Sequence, residues 1–174
     1  MWVAEMLTRA GLPTAHEDRI TSAGLTDGTF RGESSAFAPF FFDQLRGVVV
    51  VHLLRDPYET IRCMLNKRAL DDPVFTTLNW RMDPPVPKVT AADHYAEFWV
   101  GWNLAVYHRA QHWWRIGGVS RAQVMALGHA VGAELDPWAV DDALELEPLN
   151  RSSGEAEVDL SWDWVALLDA MKPR

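Results

Sequence analysis

Val48-Val49-Val50-Val51-His52-Leu53-Leu54, running into Arg55-Asp56-Pro57-Tyr58-Glu59, is the stretch that decides the fold. Its first seven residues are β-branched or apolar at every position except His52. Such a run predicts a parallel strand covered on both faces. The residues after it predict a helix. Asp56 suits the N-cap, Pro57 takes the first helical position, and Glu59 stands three residues after the cap. Ile61, Met64 and Leu65 give that helix one apolar face. A strand feeding a helix through a short turn is the building unit of an α/β domain. In open parallel sheets, ligands bind beyond the carboxyl ends of the strands. Arg55 occupies that place. Its guanidinium fork matches phosphate oxygens, and the helix beginning at Pro57 adds a positive N-terminal end. Pairing of Arg55 with Asp56 or another surface carboxylate fits the same pattern, so both readings stand at this point.

Upstream, Trp2 to Ala10 predicts a helix with Val3, Met6, Leu7 and Ala10 on one face and Gly11 as its C-terminal cap. Leu12 to Ala15 predicts a short strand and His16 to Gly32 a loop. Ser34 or Ser35 is suited to cap a short helix from Ala38 to Leu45. Downstream, the proline-rich segment from Asp71 to Val89 predicts a loop, with a lid over an acceptor site as its functional reading. Thr90 with Asp93 opens a long helix whose stripe is Tyr95, Phe98, Trp99, Trp102 and Val106. Trp113 to Ile116 predicts a second core strand. Ser120 with Gln123 opens a helix that ends near Gly132, Asp136-Pro137 opens a short one, and Ser161 caps a last one through Leu168.

The chain has 174 residues, a size that suits one domain over 1–174. The fold expected is α/β: a single three-layer domain with a small, mostly parallel sheet flanked by helices. A formal net charge of −8 argues against nonspecific binding to nucleic acid or to an anionic membrane. Cys63 is the single cysteine, which excludes an intramolecular disulfide. No stretch reads as a signal peptide or a membrane span, so the expected address is the cytoplasm.

The block HLLRDPYETIRCML, 52–65, resembles the second nucleotide-binding motif of the sulfotransferases. That motif is a buried strand, then Arg-Asp/Asn-Pro, then a Ser eight residues after the Arg. The resemblance implies a P-loop-like fold and 3′-phosphoadenylyl sulfate (PAPS) as co-substrate, with no metal. Arg55 and the residue at position 63 would then hold the 3′-phosphate. Position 63 is Cys63, whose thiol is a weaker donor than a hydroxyl; a small buried apolar role is the competing reading. Trp2 and the helix after it resemble the segment following the family's first, glycine-rich motif, and the resemblance gives Trp2 the adenine face. The glycine-rich loop and its strand would fall before Met1, so the chain is expected to be a form shortened at its N-terminus, poorly active and prone to self-association through an uncovered strand edge.

His16-Glu17 resembles a His-Glu pair of bacterial members, Trp99 to Asn103 (WVGWN) their long helix, and Leu149-Asn150-Arg151 with Ser161-Trp162-Asp163 their C-terminal end. The chain departs from the family after the second core strand, where Arg115-Ile116-Gly117-Gly118 stands in place of Arg-Val-Glu-Asp. Sulfonyl transfer needs a base for the acceptor hydroxyl, and Glu17 or His16 is the candidate. A solvated loop pair is the competing reading. Arg31, Lys67, Arg68 and Arg151 are candidates for further positive charge, with Arg151 assigned to the nucleotide; a solvated surface position is the competing reading for each. His108 and His112 lie four apart, a pair that binds zinc when a third ligand converges, but Gln111 stands where a zinc protease needs a Glu beside its helix His. The expected activity is sulfonyl transfer from PAPS to a hydroxyl or amine on a small molecule or glycan. Two alternatives remain: an inactive relative serving as a binding or interaction domain, and a nucleotide kinase-like relative. The second lacks the G-x-x-x-x-G-K-[ST] loop in this sequence.

Overall fold

A computed structural model of the protein describes residues 2–16, 32–34, 42–43, 46–71, 87–146 and 156–171. In chain order the elements are α1 (Trp2–Arg9), β1 (Thr14–His16), β2 (Gly32–Ser34), β3 (Val51–Leu54), α2 (Pro57–Asn66), α3 (Ala91–Tyr107), β4 (His112–Arg115), α4 (Arg121–Ala130), α5 (Pro137–Leu144) and α6 (Trp162–Met171). A short 3-10 turn, Ala69–Asp71, follows α2. The class is α/β. The short helix expected between Ala38 and Leu45 falls largely outside the described residues.

Four of the expected helix caps form where the sequence puts them, while the Ser161 hydroxyl makes no capping bond at α6. Asp56 Oδ1 accepts from the Glu59 N–H at 3.0 Å at the start of α2. Thr90 and Asp93 make a reciprocal capping box on α3, and Ser120 and Gln123 make another on α4. Asp136 accepts from the Trp138 N–H at 3.0 Å to open α5. Gly11, at φ +95°, ends α1 in the left-handed conformation that glycine tolerates best. The Leu12 N–H then returns to the Leu7 carbonyl at 2.8 Å, and Leu12 turns into the core.

The strands differ from expectation. The described residues hold two two-stranded sheets instead of one: β1 beside β2 and β3 beside β4. β1 and β2 run parallel, with Thr14 opposite Gly32, Ala15 opposite Glu33 and His16 opposite Ser34. β2 lies at the end of a segment that reads as loop, because its three residues are too few for any periodicity to register. The valine run is shorter as a strand than as a sequence. It enters the ladder only at Val51, and Val48 is 37% exposed. Before it, the Val50 N–H is taken by the Gln111 side chain at 2.6 Å, and the Val50 carbonyl accepts from the Gln111 and His112 N–H groups.

The chain divides into two compact units: Met1–Leu53 with Arg109–Asn150, and Leu54–His108 with Arg151–Arg174. Each has its own core. In the first, Trp2, Met6, Leu12, Trp114, Val124 and Val140 are buried together, and alternate residues Val49, Val51 and Leu53 pack against them. α1 packs on α5, and α5 on α4. In the second, Ile61, Tyr95, Trp99, Val100, Trp164 and Leu168 form the buried cluster, with α3 packed on α2 and α6. Phe98 and Trp102, half-buried on α3, stack at 5.9 Å. Among the described residues, no helix is long and apolar enough to cross a membrane.

Candidate functional site

The turn from β3 into α2 is built as the sequence suggests. Asp56 leaves the helical conformation (φ −51°, ψ 128°), and its carbonyl accepts from the Thr60 N–H and, at 2.8 Å, from the Thr60 hydroxyl. Pro57 is buried at the first helical position. Arg55, just ahead of this cap, is largely buried, its side chain 26% exposed, and its Nε lies 3.6 Å from Oε2 of Glu59. Glu59 had a purely helical role in the sequence reading. A carboxylate four residues after the arginine was the signal of this pair.

Cys63 is a free, half-buried thiol on α2. Its carbonyl accepts from the Lys67 N–H as the helix ends. Lys67 and Arg68 are exposed, and Arg68 sits at φ +48° just past the helix. Arg55, Cys63, Lys67 and Arg68 all belong to the second unit. Trp2 belongs to the first unit, where it is a core residue. It is 7% exposed, and its indole N–H donates to the Leu146 carbonyl at 2.9 Å. An aromatic so enclosed is built like a packing residue, whereas a stacking platform needs an open ring face. His16 ends β1, half-buried and opposite Ser34 in the register. Glu17, Arg31 and Arg151 lie outside the described residues. Gly117 and Gly118 form the turn after β4, closed by the Gly118 N–H on the Arg115 carbonyl at 3.0 Å. His108 ends the second unit's first segment and His112 belongs to the first unit. Among the described residues, no group of three or more His, Cys, Asp or Glu side chains is placed to hold a metal ion.

The second unit also contains a polar knot that sequence reading missed beyond its capping box. Asp93 is fully buried. Its Oδ2 accepts from the N–H groups of Val89 at 2.7 Å and Thr90 at 3.0 Å, and its Oδ1 from the Ser161 N–H at 2.9 Å. Burial pushes its carboxyl pKa up, but the backbone donors of Ser161, Val89 and Thr90 outweigh that and hold it below the ordinary value. Around it, the Trp164 indole N–H donates to the Pro87 carbonyl at 2.9 Å, the Lys88 ammonium meets Glu97 at 2.6 Å, and the Thr90 hydroxyl donates to the Asp159 carbonyl at 2.6 Å. Every residue from Pro87 to Thr90 is thus tied down. The end of the proline-rich segment is a fastened strap; residues 72–86, on which the lid reading falls, lie outside the described residues.

No family model, no curated protein and no solved structure matches the chain.

Proposed function

We propose that the chain is a sulfotransferase-like protein with a P-loop-like fold, which binds a 3′-phosphorylated adenosine nucleotide at the β3–α2 turn. One observation carries this reading: Arg55 stands at the end of β3, directly before a helix capped by Asp56 and started by Pro57. A guanidinium beside a helix N-terminus is suited to a phosphate. PAPS is the co-substrate in this reading, and a hydroxyl or amine on a small molecule or glycan is the acceptor. The acceptor oxygen or nitrogen attacks sulfur in line as the sulfur–oxygen bond to the 5′-phosphate breaks. Adenosine 3′,5′-bisphosphate leaves, and the acceptor proton passes to Glu17 or His16. This chemistry requires no metal, and the cytoplasm is the compartment it suits.

A second reading is favoured by Trp2. Its buried ring and committed N–H support a relative that binds without turnover, as does a thiol at position 63. Thermal melting with adenosine 3′,5′-bisphosphate, PAPS and ATP, each alone, separates the readings, because a ligand of the folded state raises the midpoint. A rise with the bisphosphate that is lost in Arg55→Ala supports nucleotide binding at this turn. Sulfonyl transfer from PAPS then distinguishes an enzyme from a binding module. No response to the bisphosphate, or an equal response in Arg55→Ala, rejects the assignment.

A further inference from the structure

Both sources of positive charge at the β3–α2 turn already face a carboxylate of the chain itself. Asp56 lies against the positive end of α2 through its bond to the Glu59 N–H. Glu59 lies 3.6 Å from the Arg55 Nε. Arg55, Asp56 and Glu59 together sum to one net negative charge. The two partners of the ion pair differ in setting: the Arg55 side chain is 26% exposed and that of Glu59 is 61% exposed. A pair longer than a hydrogen bond, with one partner mostly in water, holds geometry weakly. Its effect on a third charge persists, because a nearby like charge repels an incoming anion whether or not the pair is tight.

We propose that Glu59 sets the anion selectivity of the Arg55 turn, opposing a bound anionic group in proportion to that group's charge. This rests on the reading of Arg55 as the anion-binding residue. Glu59 is therefore a specificity-determining charge, while Asp56 remains the cap. Glu59→Gln keeps the side chain's size and removes its charge, and Glu59→Asp keeps the charge.

The test uses the intact chain as wild type, Glu59→Gln and Glu59→Asp. Calorimetric titration with adenosine 3′,5′-bisphosphate should show Glu59→Gln binding about three- to tenfold tighter than wild type at low salt, with the gain shrinking as salt screens the repulsion. Glu59→Asp should stay near wild type. Unchanged or weaker binding by Glu59→Gln overturns the inference. In parallel, the Arg55 Nε–H resonance is followed during titration with inorganic phosphate. If no protein binds the bisphosphate but phosphate moves that resonance at lower concentration in Glu59→Gln than in wild type, the nucleotide reading falls and the role of Glu59 stands. If all three proteins respond equally to phosphate, the role of Glu59 falls.

Discussion

Asp93 and Ser161 are 68 positions apart in sequence and joined at 2.9 Å, the Ser161 N–H donating to Asp93 Oδ1. The same carboxylate caps α3 with its other oxygen. One buried anion thus fixes the start of α3, the strap at Pro87 to Thr90, and the entry to α6. Asp93→Ala leaves three backbone N–H groups without their acceptor. It should cost roughly 3 kcal/mol, since bonds to a charged acceptor each contribute about 1.5–3 kcal/mol before relaxation. Urea unfolding measures the loss, and amide hydrogen exchange at Val89 and Ser161 should accelerate first.

The pH dependence follows from the same residue. The folded pKa of Asp93 lies below its ordinary value of 3.8, so the unfolded chain takes up the proton first on acidification. The stabilisation is complete above that ordinary value and is lost as pH falls through the lower folded one. Unfolding midpoints measured between about pH 2 and 6 should fall more steeply below pH ~4 in wild type than in Asp93→Asn. Parallel curves would remove Asp93 from the acid limb.

Gly128 lies inside α4, where alanine would ordinarily be favoured by about 1 kcal/mol. Here a Cβ would come within 2.6 Å of Leu135 Cδ1 and 2.7 Å of Leu135 Cγ. The clash outweighs propensity, so Gly128→Ala should destabilise by about 1–3 kcal/mol. A double-mutant cycle with Leu135→Ala should recover at least ~1 kcal/mol as coupling.

Arg68 holds φ +48° without being glycine. Its N–H closes the end of α2 on the Leu65 carbonyl at 3.0 Å, so the conformation belongs to the helix stop. Arg68→Gly should raise stability by roughly 0.5–1 kcal/mol in urea unfolding, because glycine adopts this backbone without a Cβ penalty.

Cys63→Ser should tighten binding of adenosine 3′,5′-bisphosphate by about 1 kcal/mol, the contribution of a neutral hydrogen bond. Calorimetry beside a melting curve decides between two roles. Lower stability with unchanged affinity would make Cys63 a packing residue.

The helix starts were legible because capping is local: Asp56, Thr90, Ser120 and Asp136 each act within three residues. The Arg55 turn was legible for the same reason. What sequence could not supply was non-local. The partner of Asp93 is 68 positions away, and nothing in Ser161 announces an acceptor elsewhere. β2 is too short for a pattern. Trp2 shows the limit of aromatic signals, since a ring that packs and a ring that stacks on a ligand have the same spacing. The valine run overstated the strand because hydropathy reports burial, while the ladder depends on which N–H groups find strand partners, and Val50 finds a side chain instead.

Each unit is assembled from two separated lengths of chain, and this governs the order in which the protein can be made. The Trp2 indole is made 144 positions before its acceptor, the Leu146 carbonyl. The first core therefore cannot close until α5 has left the ribosome, and the second must wait for α6. A cut between His108 and Arg109 would give two fragments, each carrying half of both cores. Neither would fold alone, and only their mixture would restore the native circular dichroism spectrum.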